Sequence, residues 1–280
     1  MGIQSFTQSF QLNAVFVSPM KKTMWLMVLL VLGGIAAGFY YWQMQPEPGP
    51  APAPPPAEAP PEAKPEPQIR HPIKEMEPSE KPLPTLESSD DAMLDVLTGF
   101  FGQQAVQEFF DVREIVRRFV VTVDNLPRKH VALRYRLFKP VAGQFLATGE
   151  GDNYLTNTDN FRRYKSYVLL SDAVDARKLV AVYTRFYPLF QQEYVNLGYP
   201  KGYFNDRLVE AIDDLLAAPE IPSAIKLVRP KVMYLFADPA LEELSAGQKI
   251  MIRMGVENAV RIKARLREVR QELTGQALQP

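Results

Sequence analysis

The sequence predicts a mainly α-helical periplasmic domain with at most a small β-hairpin, preceded by one transmembrane helix and a proline-rich linker. Three observations predict it. Residues 23–45 form an apolar run without one charged side chain. Proline, alanine and glutamate dominate residues 46–84. Beyond residue 85, apolar positions recur at spacings of three and four over most of the chain. The expected divisions are a short cytoplasmic N-terminus at 1–22, the span at 23–45, a disordered linker at 46–84, the globular domain at 85–275 and a tail at 276–280.

The span comes first because it sets the compartment. About 20 apolar residues in a helix rise about 30 Å, the hydrocarbon thickness of a bilayer. Lys21 and Lys22 precede the run, and no Lys or Arg follows until Lys64. The positive-inside rule therefore places the N-terminus in the cytoplasm and the C-terminal mass across the bacterial inner membrane, in the periplasm. Tyr40, Tyr41 and Trp42 suit an aromatic belt at the outer interface. A cleaved signal peptide is the competing reading, with Gly34 and Ala36 as its small residues. Met20-Lys21-Lys22 reads as a translation start, so residues 1–19 carry no weight in the reading.

Composition excludes several function classes. The chain has 280 residues, 46% of them apolar, enough for one span and one domain with a core. A net charge of zero gives no whole-chain case for nucleic acid. There is no cysteine, which removes disulfides, thiolate nucleophiles and Cys-ligated metals. With His71 and His130 the only imidazoles, a Ser-His-Asp triad or zinc-protease helix has little to draw on, and no metal or cofactor is expected. In the linker each proline fixes its backbone angle and removes a donor, so residues 46–84 should extend as polyproline II.

Ser88 or Ser89 caps a helix over 90–100, ended by Gly102; further helices follow at 103–110 and 112–123, the last stopped by Asp124-Asn125-Leu126-Pro127. From 128 to 156 the helical period disappears, and 131–138 and 144–148 are short strands or extended loop. The stretch 111–139 is locally basic, which suits an anionic partner or a solvated surface. Helix returns over 159–169 and 174–196, with a kink or break expected at Pro188 and Gly198 as the cap residue. Another starts after Gly202 and turns Leu208, Ile212, Leu215 and Leu216 inward. Residues 225–228 and 232–236 are the best strand candidates. Asp238-Pro239 then opens a short turn, Ser245 caps 246–254, and 256–273 is a long C-terminal helix.

Several blocks carry a resemblance. They are Phe119-Val120-Val121-Thr122-Val123-Asp124-Asn125-Leu126, Asn160-Phe161-Arg162-Arg163-Tyr164, Tyr187-Pro188-Leu189-Phe190, Leu197-Gly198-Tyr199-Pro200 with Gly202-Tyr203-Phe204-Asn205-Asp206-Arg207-Leu208, Phe236-Ala237-Asp238-Pro239 and Ser245-Ala246-Gly247-Gln248-Lys249. Together, over roughly 86–273, the chain resembles a bacterial envelope family catalogued only as a domain of unknown function, number 3014. The resemblance implies a membrane-anchored architecture and brings with it no activity, ligand or catalytic residue.

Three constellations could carry chemistry. Asp206, Glu210 and Asp213 fall on one helix face, with Asp214 beside them, and two such carboxylates flanking a sugar linkage could serve as acid and base. A solvated acidic face neutralised by Arg207 is the bland reading. The loop 197–205 offers Tyr199, Lys201, Tyr203 and Asn205 as a binding site for glycan or peptide, although tyrosines at helical spacing are more often core. The C-terminal helix alternates Arg261, Lys263, Arg265, Arg267 and Arg270 with apolar residues, which suits a core helix with long basic side chains at its margins. The expected function is a binding or scaffold module, not an enzyme. Its partners are the bilayer, through the span, and the cell wall or another envelope protein, with no nucleic acid. A wall-glycan hydrolase and a force-transmitting tether of the TonB type are the alternatives.

Overall fold

The computed structural model describes residues 68–73, 82–151 and 153–275. The chain divides into Met1–Lys64 and Pro65–Pro280, and every described residue lies in the second unit. The expected span at 23–45, the N-terminus at 1–22 and the tail at 276–280 fall outside the described residues. Among the described residues no helix is long and apolar enough to cross a membrane.

Helices dominate, as their periodicity predicts. Helices α1 (Ser89–Phe101) and α2 (Gln103–Phe109) are separated by Gly102 at φ 79°. Helix α3 (Ile115–Asn125) begins later than its apolar pattern, because Glu114 takes a left-handed angle and the chain must turn there. Asp90 supplies the cap from another helix: its carboxylate accepts from the backbone N–H of Glu114 at 2.7 Å and of Ile115 at 2.8 Å. Helices α4 (Asp159–Arg162) and α5 (Lys165–Asp172) replace the single helix expected over 159–169.

Helix α6 (Ala176–Asn196) runs through Pro188 without a break. Phe186, Leu189 and Phe190 flank that proline and are buried, so packing holds the helix where one backbone hydrogen bond is missing. Helix α7 (Phe204–Leu216) buries Phe204 and Val209 in addition to Ile212, a face rotated from the predicted one. Two short helices, α8 (Pro239–Glu242) and α9 (Ala246–Arg253), lead into α10 (Val256–Thr274).

The main core lies where α3 meets α6 and α7. Val120 and Phe204 are fully buried, and the Phe119 ring touches the rings of Phe190 and Phe204 at centroid distances of 4.9 and 5.9 Å. Helix α10 packs on α5, α6 and α7. Two of its cations are held by partners: Arg270 meets Asp213 at 2.5 Å, and buried Lys263 donates to the Ala218 carbonyl at 2.6 Å and to Glu220 at 2.8 Å.

The sheet corrects the expectation of at most one hairpin. Strands β1 (Ala147–Glu150), β2 (Asn153–Thr156), β3 (Lys226–Val228) and β4 (Leu235–Phe236) form one antiparallel sheet in that order. Leu227 pairs with both Tyr154 and Phe236. Thr156 joins the halves, its Oγ1 accepting from the Ile225 N–H at 2.9 Å across 69 positions. Residues 131–138 are not a strand. Buried Arg118 donates to the carbonyls of Arg134 and Arg136 at 2.9 and 3.1 Å, which fastens that stretch as a 3-10 turn, Leu133–Tyr135.

Candidate functional site

The site is built at the start of α7. Phe204 sits in the core, and its N–H donates to Gln191 Oε1 at 2.8 Å, while Gln191 Nε2 donates to the Gly202 carbonyl at 2.8 Å. These bonds pin the turn after α6 against α6 itself. Gly202 is required there, because a Cβ would lie 2.7 Å from the Tyr194 ring and 2.9 Å from the Tyr199 Cβ. The close approach lets Tyr194 and Tyr199 stack with centroids 4.5 Å apart.

Beneath the stacked rings lies Asp124, at the end of α3 and only 3% exposed. Its carboxylate accepts from Arg128 Nη2 at 2.8 Å and Arg207 Nε at 3.1 Å, and from the Tyr199 hydroxyl at 3.3 Å. Arg128 also donates to the Tyr199 hydroxyl. Arg207 continues the network to Glu210, 2.9 Å away. A buried carboxylate needs such partners, since an isolated one is costly to desolvate.

The opposite wall comes from a stretch expected to be free linker. Among the described residues, four hydrogen bonds fasten 68–73 to α7 and to Tyr203 just before it. Asp206 Oδ2 accepts from the Arg70 N–H at 3.0 Å and Oδ1 from the His71 N–H at 2.7 Å. Asn205 Nδ2 donates to the His71 carbonyl at 2.8 Å, and the Tyr203 hydroxyl accepts from the Ile73 N–H at 2.8 Å. The free linker expected over 46–84 is therefore corrected at 68–73, which are part of the domain. Composition hid this, because the contacts go to the segment's backbone and not to side chains.

Between the two walls opens a cavity of about 450 Å³. Arg128, Arg207 and Asp124 line it with the three tyrosines 194, 199 and 203. Gln68, Arg70, Asp206 and Glu210 complete the lining. Burial first, then the Asp124 carboxylate, pushes Tyr194 up to about 12, so it is a neutral phenol there.

The predicted binding residues divide. Tyr199 and Tyr203 line the cavity, and Lys201 is exposed on the same turn. Asn205 is corrected: it is fully buried, its Oδ1 accepting from the Tyr183 hydroxyl at 3.0 Å and its amide taken by His71. A side chain satisfied on both sides is a clamp for the chain itself, not an open contact.

The predicted acids divide too. Asp206 and Glu210 reach the cavity. Asp213 lies two turns beyond Asp206, about 10 Å along the axis, and pairs with Arg270 outside the cavity. Asp214 is pushed up by burial, and accepts from Ser245 Oγ at 2.6 Å where α9 begins. Both oxygens of Asp206 accept from backbone N–H groups, and Glu210 faces Arg207, so both of these carboxylates already have donors. That is chemistry for binding and positioning. Among the described residues no cluster of three or more His, Asp or Glu is placed to hold a metal ion. Sequence reasoning missed Asp124, Arg128 and Arg70. Asp124-Asn125-Leu126-Pro127 signals a turn, and nothing local marks its first residue as buried.

The family model for a protein of unknown function, DUF3014, matches residues 115–270, more than half of the chain. The chain belongs to the DUF3014 family. No curated protein and no solved structure matches it. The DUF3014 match runs from the first residue of α3 into α10 and takes in the tyrosines, Asp124, both arginines that hold it, and the acids of α7. Segment 68–73 and the apolar run lie before it.

Proposed function

We propose that this DUF3014 protein is a single-pass inner-membrane protein that displays a periplasmic binding module on a proline-rich tether, and that the module binds wall polymer through its peptide stems. The charge-free run at 23–45, with Lys21 and Lys22 before it, supports the anchor and its orientation. The observation that carries the binding reading is the charge of the cavity. Three guanidiniums and three carboxylates line a tyrosine-walled space, with the Glu210 side chain half exposed and the Arg70 guanidinium free of any ion pair among the described residues. A short peptide with an amine at one end and a carboxylate at the other matches both. Tyrosine faces supply apolar contact for the links between.

The test is cosedimentation of the full-length protein, in detergent, with isolated wall sacculi, assaying the supernatant for released sugar fragments. Binding without release is expected, weakened about tenfold by Glu210→Ala, the scale of one charged hydrogen bond. Release of fragments would restore the hydrolase reading. Absence of binding would overturn the wall reading and direct the search to envelope proteins.

A further inference from the structure

We propose that the tether completes this site: Arg70, delivered into the cavity by the docked segment 68–73, is the ligand-contacting residue that takes the ligand's carboxylate, and docking of the segment gates the cavity. The proposal rests on the reading of the cavity as a peptide-binding site and names the residue that sets its specificity.

Among the described residues, every hydrogen bond holding the segment goes to its backbone, at Arg70, His71 and Ile73. The side chains of Gln68 and Arg70 are thereby left unused in docking, and both line the cavity. The other two guanidiniums are committed, since Arg128 and Arg207 share the buried Asp124 carboxylate. A carboxylate entering the cavity therefore meets Arg70 as the cation not already answered by an acid. The guanidinium fork suits it, because two parallel N–H donors match the two oxygens.

The docking is also of a kind that opens locally. Ile73 packs at the rim of the main core and does not line the cavity. Among the described residues, four hydrogen bonds and one aliphatic side chain hold the segment, against the fully buried aromatic and aliphatic packing that holds α6 and α7. By linkage, a ligand on Arg70 strengthens docking of the tether, and undocking the tether weakens the ligand equally.

The experiment titrates the dipeptide alanyl-alanine into the full-length protein by calorimetry, following the Arg70 Nε–Hε signal by NMR in wild type, and compares two variants. Arg70→Ala removes the guanidinium and keeps docking. Ile73→Asp undocks the segment and leaves every cavity-lining side chain unchanged. Wild type should bind, each variant about tenfold or more weakly, and the double variant no worse than either alone. Hydrogen exchange at the Arg70, His71 and Ile73 amides should quicken in Ile73→Asp and slow when dipeptide is added. Wild-type affinity in either variant, or no binding by wild type, overturns the proposal. So does exchange of the three amides only through global unfolding. Binding of dipeptide by a protein that sacculi do not retain keeps this proposal and rejects the wall as the source.

Discussion

The Asp206 carboxylate holds the backbone N–H of His71 at 2.7 Å across 135 positions of sequence. Asp206 is in the first turn of α7, where an acid also complements the helix dipole. One side chain thus complements the start of a helix and fastens segment 68–73 to it. Replacing it by alanine leaves the Arg70 and His71 amides without their acceptor. A hydrogen bond to a charged group contributes about 1.5–3 kcal/mol, so those two amides should exchange roughly 10- to 100-fold faster in Asp206→Ala, while amides in α6 are unchanged. Residue-resolved hydrogen exchange checks this.

Asp124 carries a heavier load. Its carboxylate is buried against Arg207, itself 14% exposed, and removal leaves that guanidinium facing only Glu210 and a carbonyl. Breaking a buried pair from one side costs about 3–5 kcal/mol. Asp124→Ala should lower stability by that amount in a denaturant titration, and the Tyr199 ring should lose its fixed orientation.

Much of the fold was legible because it rests on local chemistry. Asp175, Asp238 and Ser245 each accept from a backbone N–H inside the helix they begin, at Lys178, Ala240 and Gln248. Gly102 and Gly198 sit at helix ends, as their lack of a side chain suggests. What was not legible is nonlocal. Strands β3 and β4 fall inside the stretches 225–228 and 232–236 read as strands, but the pairing of β3 with β2 comes from distant sequence. Asp124 finds Tyr199 and Arg207 across 75 and 83 positions, so a turn signature is all that its neighbours reveal. The docked segment was hidden among prolines.

Gly255 separates α9 from α10 at φ 83°, and a Cβ there would lie 2.6 Å from the Phe161 ring. Gly255→Ala combines backbone strain with overpacking, each about 1–3 kcal/mol. A loss of about 2–5 kcal/mol in thermal or denaturant unfolding is expected, with the cavity unaffected in the folded protein.

Stability should fall on the acid side. Asp175 is held below the usual carboxylate range by its backbone hydrogen bond from Lys178, and Glu220 and Glu243 by hydrogen bonds from Lys263 and Lys129. Burial pushes Asp111 up, but the Arg113 hydrogen bond and the Arg118 charge outweigh it and hold it low. A carboxylate depressed in the fold contributes stability above its unfolded value, about 4, and loses it as pH falls through the folded value. Asp214, raised by burial, works in the opposite sense over the same region. The melting temperature should therefore drop below about pH 4, and Glu220→Gln should blunt that drop.

The most direct measurement places a photo-reactive amino acid at position 68, on the wall of the cavity, and as a control at position 260, exposed on α10, in the full-length protein in living cells. Irradiation should attach wall polymer to the protein from position 68 and not from position 260. Wall polymer captured equally from both positions, or from neither, would contradict a binding site in the cavity.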